Sequence, residues 1–257
     1  MSDNTYVTIA DEHEGQDFPS GPYRFHGSFA IPVVQTVLEY AYKMGATRIL
    51  SLGDRIKFER NSSPERDLER AIAYNEATYG ASAIPTLFAH GNQDLGYLTS
   101  EHLSFALNRK EPSYFEDVGG DRLALLNPRV IPAEQGRWRG YAYDPKVIAR
   151  FREGGEKQRL HLITHFGGHC SDEYPRHYDL DHQGPALLEE MSSHAEISGQ
   201  TSYLWSGHLH NKRHHRVNGS ECHYVPSVSV DFTKGKRPSG AFAIVTSGVN
   251  GVEVDRK

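Results

Sequence analysis

Short apolar runs alternate along this chain with segments whose apolar residues recur at helical spacing, a pattern of α/β domains rather than all-helical ones. Thr5–Ala10 reads as a buried strand, and the polar stretch after it, punctuated by Gly21 and Pro22, as a loop. From Ile31 to Met44, residues Val34, Val37, Leu38, Ala41 and Met44 share one helical face, and Gly45 stops the helix. Thr47–Leu52 is a second strand. Ser63-Pro64 marks a helix start: the Ser side chain accepts from a free backbone N–H, and Pro lacks the N–H it would leave unpaired. That helix is predicted to run to Tyr79. Ala83–Ala89 is a third strand, and Gly119-Gly120 joins Tyr114–Val118 to Asp121–Leu126 in a tight hairpin. Helices over Pro145–Arg152 and Pro185–His194, strands over Arg159–Thr164 and Ser202–Ser206, a hairpin at Asn218-Gly219, and the strands Ala241–Thr246 and Val252–Val254 follow. No repeat or linker divides the 257 residues, which are expected to form one domain.

Composition adds exclusions. With 37% hydrophobic and 24% charged residues the chain is expected to fold rather than stay disordered. No apolar stretch approaches the roughly 18 residues of a membrane helix. The first twenty residues contain no Lys or Arg, and their apolar run is too short for a signal core, so no export and a cytoplasmic location are expected. Two cysteines, Cys170 and Cys222, form at most one bridge, fit a reducing compartment, and are read as buried thiols. A net charge of -5 argues against a nucleic-acid surface.

Candidate chemistry follows from where polar residues fall. Asp11-Glu12-His13 follows the first strand, Gly53-Asp54 the second, Gly91-Asn92-Gln93-Asp94 the third, Thr164-His165 a later one, and Gly207-His208-Leu209-His210 the next. Binding sites in open α/β sheets form at the carboxyl ends of strands, so these residues can converge across some 200 positions. Two Asp, one Asn and four His are oxygen and nitrogen donors suited to Mn, Fe or Zn. Seven are too many for one tetrahedral zinc and suit two ions sharing a carboxylate. Gly53, Gly91 and Gly207 precede ligands where a missing side chain permits close approach.

The five blocks, in order, resemble the calcineurin-like metallophosphoesterases. The resemblance implies a four-layer α/β/β/α sandwich of two mixed β-sheets flanked by helices. It implies two transition-metal ions, with Asp11, His13 and His210 on one, Asn92, His165 and His208 on the other, and Asp54 bridging. It also implies a small phosphate ester as substrate, hydrolysed by in-line attack of a metal-bridging hydroxide. The first expectation is a phosphodiester of the cyclic-nucleotide or glycerophosphodiester type. Phosphomonoesterase action, or a metal-binding interaction module, is the alternative.

Two positions depart from the family pattern. Lys57 stands where a second Asp is common, and Gln93 where the family places the His that protonates the leaving oxygen. An amide cannot donate a proton and be reset near neutral pH. His90 and His169 are the candidate replacements, and Arg55 is a candidate clamp for phosphate oxygens. Lys212–Arg216 and Lys234–Arg237 are basic runs read chiefly as solvated surface. Neither a membrane nor a nucleic-acid partner is expected.

Overall fold

The computed structural model describes residues 3–20, 23–57, 59, 61–109, 111–131, 140–150, 158–167, 183–210, 212–231 and 238–257. Alternation within strands decides the layering. In β1 (Asn4–Ile9), Val7 and Ile9 pack with helices on one side of the sheet, while Tyr6 faces the other side and packs with strand residues.

The chain continues through β2 (Phe18–Ser20), β3 (Tyr23–Phe25), α1 (Ala30–Lys43), β4 (Arg48–Ser51), α2 (Pro64–Ala77), β5 (Thr86–Phe88) and α3 (Ser100–Ala106). Its middle holds β6 (Tyr114–Val118), β7 (Asp121–Leu125), β8 (Arg129–Ile131), β9 (Gly140–Ala142), α4 (Pro145–Ala149), β10 (Arg159–Ile163) and α5 (Gln183–Ser198). Then come β11 (Tyr203–Ser206), β12 (Arg213–Val217), β13 (Ser220–Tyr224), β14 (Val230–Asp231), β15 (Ala243–Gly248) and β16 (Gly251–Arg256).

Two mixed sheets result, ordered β16-β15-β1-β4-β5 and β12-β13-β11-β10-β7-β6. β1, β4 and β5 run parallel, as do β7, β10, β11 and β13. Between the sheets lie Tyr6, Leu50, Leu87, Leu123, Ile163, Trp205 and Val245. Helices α1, α2 and α3 cover the outer face of the first sheet, and α4 and α5 that of the second. This is the expected four-layer sandwich.

Ser63 caps α2 as predicted, its side chain accepting from Arg66 N–H, and both hairpins turn where expected, with Gly119 at φ 58° and Asn218 at φ 48°. α3 was not predicted. Its cap, Thr99, accepts from His102 N–H while His102 answers at the Thr99 N–H, so a histidine fills the place where the usual pattern has Glu or Gln. The region read as loop around Gly21 contributes β2 and β3 to a small third sheet with β14, and β8 pairs with β9; strands this short carry no readable period. No helix of the described residues is long and apolar enough to cross a membrane.

Candidate metal centre

Every predicted ligand stands just past the carboxyl end of a strand: Asp11 and His13 after β1, Asp54 after β4, Asn92 after β5, His165 after β10, His208 and His210 after β11. The first three strands belong to one sheet and the last two to the other. All seven side chains come together. In one group, His210 Nε2 lies 3.2 Å from Asp11 Oδ1 and 3.0 Å from His13 Nε2. His13 Nε2 is in turn 3.9 Å from both Asp11 Oδ1 and Asp54 Oδ2. In the other, His165 Nε2 lies 3.5 Å from Asp54 Oδ2, 3.2 Å from Asn92 Oδ1 and 3.2 Å from His208 Nδ1. Asp54 Oδ2 therefore faces both groups.

The backbone is bent to achieve this. Of the seven described non-glycine residues with positive φ, five are Asp11, His13, Asp54, His208 and His210, at 53°, 48°, 54°, 66° and 54°. Holding an ordinary residue there costs on the order of 1 kcal/mol or more, and such strain clusters at functional sites. Glycines make room beside the ligands. A Cβ on Gly91 would stand 2.0 Å from Asp54 Oδ1 and one on Gly207 2.8 Å from Asp11 Oδ2. Gly91→Ala is thus expected to lower bound metal and turnover together while circular dichroism stays native. Wild-type metal content in that variant would show that the contact yields.

The residues fit a pair of cations. Burial, then the neighbouring Asp11 and Asp94, push the Asp54 carboxyl well above the usual range, a conflict that cations between the acids relieve. Burial, then His210, His165, Lys57 and His208, hold His13 well below its usual range, so it offers the neutral imidazole that ligates metals. Both groups are free of thiolate, as first-row ions with oxygen and nitrogen ligands require.

No protein-family model matches the chain, and no curated protein does. Solved structures do. A dimetal phosphatase from Danio rerio superposes with a TM-score of 0.73 at 13% identity, covering 98% of each chain. The fold is that of the calcineurin-like metallophosphoesterases. A putative 5'-nucleotidase from Staphylococcus aureus matches at 0.56 and 12% identity, with 99% of this chain spanning 53% of that one. GAP50, the anchor in the inner membrane complex of Plasmodium, matches at 0.55 and 12% identity over 99% and 84% of the two chains.

Within this metallophosphoesterase fold, several supports of the centre were not singled out by sequence. Asp94, the last residue of the third block, accepts the backbone N–H groups of Asp54, Arg55, Ile56 and Gly91 at 2.9, 2.9, 3.2 and 3.0 Å, pinning the Asp54 turn to the Asn92 turn. Ser227 and Ser229 donate to the Asp11 carbonyl at 2.6 and 3.1 Å. Glu12, between two ligands, points away from them into the α2 side, where Tyr74, Tyr79 and Ser51 donate to it at 2.5, 2.6 and 3.1 Å. Burial pushes its carboxyl up to about 7 against the pull of those donors and of Arg55. Only its position inside the Asp11–His13 block hinted at a role.

Two expectations need correction. Arg55 was a candidate phosphate clamp, but it is 2% exposed, with its guanidinium stacked 5.0 Å over Phe88 and 4.0 Å from Asp94. An entering phosphate does not reach it; Arg55 instead balances the buried Asp94 and Glu12. His90 was a candidate acid. It is buried in a recess lined by Phe88, Ser104, Leu107 and Asn127, which contains none of the seven candidate ligands, and burial, then Arg55, hold it well below its usual range. A neutral, walled-off imidazole has no proton to give at the site.

His169, Cys170 and the run Lys234–Arg237 lie outside the described residues. Cys222 is buried in the core of the second sheet's outer face. Lys212–Arg216 leads into and forms most of the edge strand β12. Gln93 stands at the centre, its N–H donating to Asp54 Oδ1 at 2.7 Å. Lys57 rises 5.6 Å over the Phe25 ring, which edges His13 and His210, and burial brings its ammonium down to about 8.

Proposed function

We propose that this protein is a binuclear metal-dependent hydrolase of phosphate esters, acting on a phosphodiester of the cyclic-nucleotide or glycerophosphodiester type. The observation that carries the reading is Asp54 Oδ2, shared between two converging sets of oxygen and nitrogen donors. Asp11, His13, Asp54 and His210 would hold one ion and Asp54, Asn92, His165 and His208 the other. Such a pair, when bound, acidifies a water and neutralises phosphate oxygens.

The chain's own residues set the rest. Asp54, fixed through the Gln93 N–H and through Asp94, sets the spacing between the two groups. Asn92 turns its Oδ1 toward His165, which leaves its NH₂ for a phosphate oxygen. Lys57 places a positive charge beside the first group. Gln93 hydrogen-bonds an ester oxygen but supplies no proton, so the alkoxide released from a nucleotide or glycerol ester takes its proton from water or another group, while aryl esters, which need none, turn over faster. The nucleophile is water, and no covalent phospho-enzyme forms.

A phosphomonoester is the competing substrate, and likeness to a dimetal phosphatase favours it. With Mn²⁺ added, bis(p-nitrophenyl) phosphate is expected to give the higher kcat/KM than p-nitrophenyl phosphate; parity or reversal decides for a phosphatase. An interaction module is favoured by Gln93 alone. Metal analysis after reconstitution separates it, since fewer than about one ion per chain is incompatible with two-ion chemistry.

Gln93→His restores a group able to protonate the leaving oxygen. It is expected to raise kcat by about tenfold or more on alkyl esters and far less on nitrophenyl esters, whose leaving groups need no proton. Equal gains on both would mean that the residue acts by binding rather than by proton transfer.

A further inference from the structure

We propose a second metal site, for a single zinc ion, on the β12–β13 hairpin, built from His214 Nε2, Glu221 Oε2 and His223 Nε2. It is independent of the binuclear centre and of the reading of that centre. Strand geometry assembles it. His214 lies directly across from His223 in the antiparallel register, and Glu221 is two residues before His223, so all three share one face of the sheet. The distances agree: Glu221 Oε2 is 3.3 Å from His214 Nε2 and 3.5 Å from His223 Nε2, and the three ligand atoms lie within 4.8 Å of one another.

His223 is the telling member. It is 4% exposed, and its Nε2 makes no hydrogen bond although it points at Glu221. Leaving a buried polar nitrogen so is costly unless something binds it. Its ring is fixed between two others, Trp205 at 4.5 Å and His214 at 4.5 Å, both nearly parallel to it. His214 is exposed and β12 is an edge strand, which leaves a side of the site open to water. Two imidazoles and one carboxylate with an open position form a recognised zinc set.

One neighbour opposes binding. Arg256, on β16 of the other sheet, donates to His223 Nδ1 at 2.9 Å, which places the ring's proton on Nε2. For zinc to take the Nε2 lone pair, that proton moves to Nδ1 and Arg256 gives up its bond. Arg256 thus holds the affinity down, and a residue that accepts from Nδ1–H raises it.

The test compares zinc per chain in wild type, His214→Ala, Glu221→Gln and Arg256→Gln, each metal-depleted and re-equilibrated at the same buffered free zinc. Wild type is expected to hold one zinc more than either ligand variant, with nitrophenyl ester hydrolysis unchanged in both. Arg256→Gln is expected to fill the extra site at about tenfold lower free zinc. Being a difference between proteins, the count reads the same whether or not the binuclear centre loads or turns over. Equal zinc in all four proteins across the titration would overturn the proposal.

Discussion

Asp54→Ala is expected to cut kcat/KM on bis(p-nitrophenyl) phosphate by more than about a thousandfold, or ~4 kcal/mol, and to release at least one ion. The size follows from position. Oδ2 lies 3.9 Å from His13 Nε2 and 3.5 Å from His165 Nε2, so removing it takes a ligand from both groups at once. Oδ1 anchors the third block through the Gln93 N–H, so the same change also frees the loop that carries Asn92. Alanine further sits poorly at φ 54°. Asp54→Asn is the cleaner companion, since its amide keeps the shape and an acceptor for Gln93 but removes the charge. It should lose metal nearly as completely. Parallel kinetics and metal analysis check both, and wild-type rates in either variant would remove Asp54 from between two ions.

At the other end of the sandwich, Asp121→Asn is expected to lower the free energy of unfolding by roughly 3–5 kcal/mol, the usual cost of stripping one partner from a buried ion pair. Asp121 has no exposed surface and accepts from Tyr6 Oη at 2.6 Å, Ser247 Oγ at 2.8 Å, Arg159 Nε at 2.9 Å and Asn4 Nδ2 at 3.0 Å, with His161 Nε2 at 3.5 Å. These partners come from β1, β10 and β15, so the carboxylate ties both sheets together. Burial works to raise its pKa, but His161 beside it and the hydrogen bonds from Tyr6 and Asn4 outweigh it and hold the group far below the usual carboxylate range. A depressed pKa adds stability that is fully present above about pH 4 and is lost as the pH falls below that value toward the folded-state pKa. Urea melts of wild type and variant should therefore differ widely at pH 7 and converge toward pH 2. A gap as large in acid as at neutrality would show that the variant fails by packing rather than by charge.

Legibility followed from how far each property depends on neighbours in space. α1 was readable because its helical period repeats several times, α2 from its Ser63-Pro64 start, and β1 as a short buried apolar run. The seven candidate ligands were readable because each sits within four residues of a strand end, and parallel strands place such ends together. Direction within a turn was not readable. Asp54 and Arg55 are adjacent, yet Asp54, at positive φ, faces the candidate metal groups and Arg55 the Phe88 ring. His90 fails for a similar reason, being turned behind the Asn92 loop while its N–H is held by Asn127 at 2.7 Å. Asp94 and Glu12 escaped notice because most of their partners, three backbone amides 38 to 40 residues from Asp94 and two tyrosines more than 60 from Glu12, leave no local spacing signal.

Because the donors after β1, β4 and β5 face those after β10 and β11, any ion held among them fastens one sheet to the other as a rivet joins two plates. Chelators should therefore soften the whole sandwich along with silencing its chemistry, and the melting temperature should climb with free metal concentration, as linkage demands of a ligand that grips only the folded chain.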